Sequence, residues 1–447
     1  MRITRRCIAE PSTPSRVGHA SDGEIAHSPI DSLPRRHQSV TSRRVHYVMR
    51  LLLCSDTYPP QVNGVSVVSA LMAEGLRDRG WQCATVVPAY PASLRSPLDA
   101  PRIPRFDLPS VPMPIYPALR LPWPSRRTVR EAFDAWAPDL VYCATEFVIG
   151  RLAAAEARRR GVPLVSAFHT DFGRYAAAYG VPWLRRAVEA NVAAFHRRAA
   201  LTLTPSTPAM ATLRAAGVTR AEIWGRGVEP TRFTPTRRSL ALREALSLGP
   251  AFTFLYVGRL APEKNVALVL RAFAALAGSL TPGAVRLIVA GDGPKLPALR
   301  RQAGPGVTFL GSLERDHDLP TLFASCDAFL FASETETLGL VVLEAMASGL
   351  PVIAASSGGV ADHLRDEVNG LAFTPGDKSA MLAAMCRLVR DRALRERLRA
   401  GALRTAAPLS WAAELDRLDT RFRTLVRTAP TAHAPAAPMG AVAAASA

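Results

Sequence analysis

Short apolar runs alternate along this chain with longer stretches in which apolar positions recur at helical spacing. In the first half the runs fall near 51–54, 84–87, 140–142, 164–167 and 201–204. In the second half they fall near 253–257, 285–290, 307–310, 328–331 and 352–354. The runs read as buried strands, and their alternation with helices predicts an α/β architecture of two doubly wound parallel sheets with helices on both faces. Residues 49–225 form the first such domain, 226–250 a Gly-, Pro- and Arg-containing linker, and 251–407 the second domain. A helical pattern over 408–427 is expected to pack back across the hinge onto the first domain. Two sheets of this kind facing across a cleft take ligand at their carboxyl ends.

The ends of the chain differ from the body. Residues 1–48 are polar and aperiodic, which reads as disorder, and the pattern changes abruptly at Met49. Either the true initiator is Met49 or the segment is a regulatory arm. The Ala- and Pro-rich residues 428–447 read as a floppy tail. The total length, 447 residues, exceeds what one core holds, and a 48% hydrophobic content supplies two.

Charge narrows the partners. The net charge is +18, and residues 1–48 contribute only eight Arg against four acids, so most of the excess lies on the folded body. That balance favours phosphorylated ligands or an anionic membrane surface. No RNA- or DNA-binding signature accompanies it, and nucleic acid is not expected as a partner. Cys7, Cys54, Cys83, Cys143, Cys326 and Cys386 are scattered without metal-ligand spacing, so reduced core thiols and a cytoplasmic location are expected. No apolar h-region opens the chain and no charge-free apolar run reaches spanning length, so any membrane contact is peripheral. Trp123 with Arg126, Arg127 and Arg130, and Trp183 with Arg185 and Arg186, read equally as interfacial anchors for an anionic membrane or as solvated arginines on ordinary helices.

The chemistry concentrates at Glu336-Thr337-Leu338-Gly339-Leu340-Val341-Val342-Leu343-Glu344, two carboxylates eight residues apart in a strand–turn–helix pattern. Glu336 falls in the loop at a strand's carboxyl end, and Glu344 about a turn inside the following helix. The amides of Leu338, Gly339, Leu340 and Val341 would point out of the helix start, where an anion gains from unpaired donors and the dipole. Two hydroxyl-binding carboxylates around an anion seat suit a nucleotide sugar. Upstream, Gly258-Arg259-Leu260-Ala261-Pro262-Glu263-Lys264 places Arg259 and Lys264 on one strand-to-helix loop, close enough to converge on an anion or to form a merely solvated basic loop. In Gly291-Asp292-Gly293-Pro294 the glycines permit a backbone approach to ligand or an ordinary turn. Gly358-Gly359 and Asn369-Gly370 read as turns.

On the other side of the expected cleft, Gly64 precedes a helix and leaves room for a phosphate or sugar. His169, in Phe168-His169-Thr170-Asp171, sits at a strand's carboxyl end, and Glu146 holds a similar place. Asp316-His317-Asp318 has the form of a metal site but lies just before a helix near Leu319, where Asp serves as a cap, so no metal is expected.

Taken together, these motifs make residues 49 to about 427 resemble the retaining GT-B glycosyltransferases of glycosyltransferase family 4, over both domains. The resemblance rests on the E-x7-E segment followed by Ala345-Met346-Ala347-Ser348-Gly349, on Gly258 to Lys264 and on Gly291 to Pro294, in the family's order. Pro59-Pro60 with Asn63-Gly64-Val65, His169-Thr170-Asp171 and Trp224-Gly225-Arg226-Gly227-Val228 are similar to the branch of GDP-mannose-dependent alpha-mannosyltransferases and sulfolipid-type transferases. Glu229 departs from the Asp that this branch often has there.

The resemblance implies a metal- and cofactor-independent enzyme that moves a hexose, most simply mannose from GDP-mannose, to a lipid or glycan acceptor. Glu336 would hold hydroxyls of the transferred sugar and Glu344 those of the ribose. Arg259 and Lys264 would neutralise the departing diphosphate, and His169 would touch the sugar from the opposite domain. Gly64, Gly258, Gly291 and Gly293 would line the donor, and Asp56, Glu146 and Asp171 would face the acceptor. A UDP-sugar-dependent relative, or a sugar-nucleotide epimerase or phosphorylase on the same fold, are the rival expectations.

Overall fold

The computed structural model describes residues 47–61, 63–91, 103–113, 116–170, 183 and 185–429. The first sheet contains β1 (Arg50–Cys54), β2 (Gln82–Pro88) and β3 (Arg105–Leu108), then, after a small antiparallel hairpin of β4 (Ser110–Met113) and β5 (Tyr116–Pro122), the strands β6 (Leu140–Cys143), β7 (Leu164–Ala167), β8 (Leu201–Thr204) and β9 (Ala221–Ile223). Its order is β3-β2-β1-β6-β7-β8-β9 and every pairing is parallel. The second sheet contains β10 (Phe252–Val257), β11 (Val285–Ala290), β12 (Val307–Gly311), β13 (Ala328–Phe331), β14 (Val352–Ala355) and β15 (Gly370–Phe373). It runs β12-β11-β10-β13-β14-β15, again all parallel.

The central strands are apolar at consecutive positions because helices cover both faces. Leu51 to Cys54 are fully buried, as are Phe254 to Tyr256 and Ala328 to Leu330. The chain order reverses at one place in each sheet, between β1 and β6 and between β10 and β13. Loops splay apart at such switch points and leave a crevice at the carboxyl ends. The E-x7-E loop follows β13 and the Arg259–Lys264 loop follows β10, so both open at the second sheet's switch point.

The Trp411–Thr428 helix lies on the first sheet, as expected. Trp411 packs edge-on against Trp224 with ring centroids 6.0 Å apart, Phe422 lies 6.2 Å from Trp81, and the Trp81 indole donates to Asp419 at 2.6 Å. The segment 226–250, expected as a linker without strong periodicity, is largely packed structure. Phe233 is fully buried against Phe323, and the buried Arg243 donates to the carbonyls of Ser325, Gly249 and Ala251. Its pattern was hidden because its anchors, Val228, Phe233, Arg243 and Leu248, are scattered through turns, and its one α-helix, Leu240–Ala245, is too short to show a periodic face.

The carboxyl sides of the two sheets touch. Thr337 Oγ1 donates to the carbonyl of His169, and Asp362 accepts from the Thr207 amide at 2.7 Å and from Arg226. Cys54, Cys83, Cys143 and Cys326 are free and buried. Among the described residues no helix is long and apolar enough to cross a membrane.

Candidate active site

The turn after β13 ends at Gly339, which has φ 76° and caps the Leu340–Ala347 helix without any side-chain bond. A Cβ there would crowd Val360, and the left-handed backbone is costly for other residues, so Gly is required. The amides of Leu338, Gly339, Leu340 and Val341 have no acceptor among the described residues. An uncapped helix start with free amides is an anion seat.

Glu336 stands just before this seat. Its Oε1 accepts from Ser333 Oγ at 3.0 Å and from Lys264 Nζ, and its backbone carbonyl accepts from Gly359 at 2.8 Å. The Gly358-Gly359 turn therefore buttresses the carboxylate's loop: a Cβ on Gly358 would strike the carbonyl of Glu336, and one on Gly359 that of Thr337. Sequence reading passed over that support because two adjacent glycines signal a turn wherever they occur. Lys264 closes a short 3-10 turn, Pro262–Lys264, and Asn265 beyond it takes a left-handed conformation that starts the next helix. Lys264 is thus aimed back at β13.

The bases are each engaged by an acid. Arg259 pairs with the buried Glu263, and Lys264 pairs with Glu336, so the two do not stand as a bare cationic clamp. The glycines let two loops approach one another. A Cβ on Gly291 (φ 136°) would collide with the carbonyl of Gly258, and one on Gly293 with Leu260. Leu260 donates to the Asp292 carbonyl at 2.8 Å and its own carbonyl accepts from Lys295 at 2.9 Å. The close approach is of one loop to the other, which holds Arg259 in place.

Glu344 is 1% exposed, and its Oε1 accepts from Arg315 Nη2 at 2.6 Å and Nε at 3.0 Å. Burial raises its carboxyl and Arg315 opposes that shift. Arg315 comes from the loop after β12, and nothing in its local sequence marks it as Glu344's partner. Asp316, considered and set aside as a metal ligand, pairs with Arg232, while Asp318 accepts from the Glu314 amide at 3.0 Å. The cap expected of this segment thus reaches back to its own loop.

Across the cleft, the His169 Nε2 lies 3.2 Å from the buried Tyr142 hydroxyl, and burial brings the imidazole down to about 4, so it is neutral at ordinary pH. Gly64 opens the Gly64–Arg77 helix with nothing within 4 Å of where its Cβ would stand, while Asn63 caps that helix through the Ser66 amide at 2.9 Å. Asp56, just past the carboxyl end of β1, is engaged by the neighbouring loop and helix. Its Oδ1 accepts from the Ile149 amide at 2.9 Å and its Oδ2 from Thr145 Oγ1 at 2.6 Å, which makes it the cap of the Val148–Arg160 helix. That helix has no side-chain cap of its own, so a strand distant in sequence supplies one. Glu146 is 2% exposed with Oε1 unpartnered, and burial, then the charge of Asp56, pushes it up to about 8. Asp171 lies outside the described residues.

Two surface cavities open on the wrong side of the sheets for this constellation. One, about 390 Å³, is lined by Arg151, Arg158, Phe195, Arg198 and Arg220, and the other, about 590 Å³, by Arg238, Cys326, Asp327 and Arg399. Both lie by the amino ends of strands, whereas every residue above lies at carboxyl ends.

Known proteins match on both halves of this geometry. The model of Glycosyltransferase Family 4 covers residues 62–232, and that of Glycosyl transferases group 1 covers 251–391. The chain is 36% identical over 374 residues to the GDP-mannose-dependent alpha-mannosyltransferase of Mycobacterium tuberculosis (strain CDC 1551 / Oshkosh), covering 83% of this chain and 95% of that one. It is 34% identical over 313 residues to the sulfoquinovosyl transferase SQD2 of Arabidopsis thaliana, covering 68% and 60% of the two. Anabaena HepE, solved in complex with UDP-glucose, superposes with a TM-score of 0.68 at 21% identity, over 84% of this chain and 99% of that one. The two facing parallel sheets are the GT-B fold, and the protein is a glycosyltransferase. It belongs to glycosyltransferase family 4.

Proposed function

We propose that the protein is a retaining, metal-independent hexosyltransferase that moves mannose from GDP-mannose to a lipid or glycan acceptor. The observation that carries this is the uncapped start of the Leu340–Ala347 helix, flanked by Glu336 and Glu344 and facing His169 through Thr337. The free amides take the diphosphate, where negative charge grows as the sugar–oxygen bond breaks. Lys264 and Arg259 are drawn from their carboxylate partners towards that charge. Glu336, relieved of Lys264, accepts from hydroxyls of the hexose, and Glu344 from those of the ribose. Neutral His169 bonds the sugar from the first sheet without adding a charge. The acceptor oxygen attacks on the face the diphosphate leaves, and its proton passes to the departing phosphate oxygen. The mannosyl donor is favoured by the M. tuberculosis relative, whose match covers 83% of this chain.

The acceptor side fits a lipid surface. Trp123 and Trp183 are 67% and 76% exposed, and Val111 and Leu121, paired across the β4–β5 hairpin that precedes Trp123, are also exposed. Arg126 and Arg130 are exposed on the helix that follows, while Arg127 and Arg185 spend part of their charge on Glu131 and Glu189.

One experiment tests the reading. The protein is mixed with labelled GDP-mannose or UDP-glucose, EDTA and vesicles of a membrane lipid extract containing anionic lipid. Label should move from GDP-mannose into lipid, with the protein sedimenting on the vesicles at low salt. Transfer only from UDP-glucose replaces the donor, free epimers or sugar phosphate replace the reaction, and failure to sediment sinks the membrane contact.

A further inference from the structure

Glu344 has one saturated oxygen and one idle one. Oε1 takes two bonds from Arg315, while Oε2 accepts nothing from the described residues. The guanidinium is itself pinned: its carbon lies 5.5 Å from the centre of the buried Phe233 ring, and Nη1 lies 3.5 Å from Asp316, which Arg232 holds in turn. Arg315 is only 15% exposed on its side chain, so the pair is screened little by solvent. Arg315, Asp316 and Arg232 are the charged groups that act on Glu344 from the elements around it. An isolated carboxylate this buried would shed its charge, because desolvation favours the neutral acid.

We propose that Arg315 is a positioning residue for Glu344: it fixes one carboxylate oxygen and opposes the loss of its charge, so that the other oxygen accepts from a ligand hydroxyl. The inference rests on the reading of Glu344 as a donor-binding group. Arg315 reaches this place from a loop at the sheet's edge strand, outside every motif that defines the site. The edge loop thereby tunes the donor end of the cleft without touching the donor.

The test separates charge from shape. Thermal melts are run between about pH 5.5 and about pH 8.5 on the wild type, Arg315→Met and Arg315→Met/Glu344→Gln. A carboxyl whose folded value is raised stabilises below its unfolded value, and that stability is lost as pH rises. Arg315→Met, lacking the counter-charge, should therefore lose melting temperature against wild type as pH rises. The double variant should not show that slope. In parallel GDP and UDP are titrated calorimetrically. For the nucleotide bound more tightly, Arg315→Met should weaken affinity about tenfold at the acid end, one pK unit's worth, with the gap closing at the alkaline end. Arg315→Lys, which keeps a positive charge, should restore much of it. Identical slopes in the melts, or a loss independent of pH, overturns the inference. Glu344→Gln losing affinity while Arg315→Met keeps it also overturns the inference but leaves the donor reading standing. Glu344→Gln with unchanged affinity for both nucleotides sinks that reading, and the ligand half of this inference with it.

Discussion

On the second sheet's side of the cleft, acids and bases stand in pairs: Lys264 with Glu336, Arg259 with Glu263, Arg315 with Glu344. On the first sheet's side three of the described titratable groups are neutral or spent. His169 is brought down to about 4, Glu146 is pushed up to about 8, and Asp56 is absorbed in capping a helix. Both walls are carboxyl ends of parallel sheets, so the fold does not make the difference. The side chains do. Under the proposed function the second wall meets a diphosphate and needs charge held ready without an exposed excess, which pairing supplies. A wall that meets a hexose and an acceptor hydroxyl needs donors and acceptors that do not repel the leaving group or hold bulk water.

The largest expected effect comes from cutting the ionic wall at Glu336. Under the proposed function Glu336→Ala removes a sugar-hydroxyl acceptor, and it frees Lys264, so we expect initial rates of transfer to fall by about 10²- to 10³-fold, the scale seen when one transition-state contact is lost. Nucleoside diphosphate affinity should change by less than about tenfold, because the helix amides remain. A variant that keeps its transfer rate, or that loses nucleotide binding as severely as rate, would put Glu336 in another role.

The neutral wall is tested by pH. Glu146 has its carboxyl raised from an ordinary 4.5 to about 8. The sign follows: its protonated form contributes stability that is full below 4.5 and lost as pH rises towards 8. Glu146→Gln keeps the neutral shape, so the variant should gain on the wild type as pH climbs through that window, by on the order of a few kcal/mol. Chemical denaturation at a series of pH values measures the gap. A gap that does not widen with pH means that Glu146 is already ionised in the folded protein.

These two walls were not equally legible in the sequence. The ionic wall is written locally: Glu336, the helix start and Glu344 lie within one short segment, and the Gly258–Lys264 loop follows its strand directly. Strand periodicity likewise announced the central strands of both sheets. What escaped depends on partners distant in the chain. β9 is a three-residue edge strand with little buried surface, β15 is a four-residue edge strand behind an Asn-Gly turn, and the β4–β5 hairpin lies among prolines that read as loop. Arg315 could be matched to Glu344 only after β12 and β13 were placed in one sheet. Gly291 and Gly293 were legible as glycines that something approaches, but not that the neighbouring loop is one of the groups that does.

Asp56 gives the smallest expected effect and the cleanest contrast between the walls. Its carboxylate accepts from the Ile149 amide and from Thr145, and its own amide donates to Thr145 Oγ1 at 2.8 Å, so it closes a ring between β1 and the helix after β6. Losing such a cap costs about 1 kcal/mol, by analogy with ordinary N-cap substitutions. Asp56→Ala should lower stability by that amount in denaturant melts, and Asp56→Asn, which still offers an oxygen to the amides, by less. Neither change should approach the rate loss of Glu336→Ala, because both carboxylate oxygens are already engaged by Thr145 and the start of the helix. If Asp56→Asn slows transfer as much as it would slow on losing a site residue, then the carboxylate's charge reaches the cleft. The first wall would then be ionic as well, and the division of labour between the two sheets would fail.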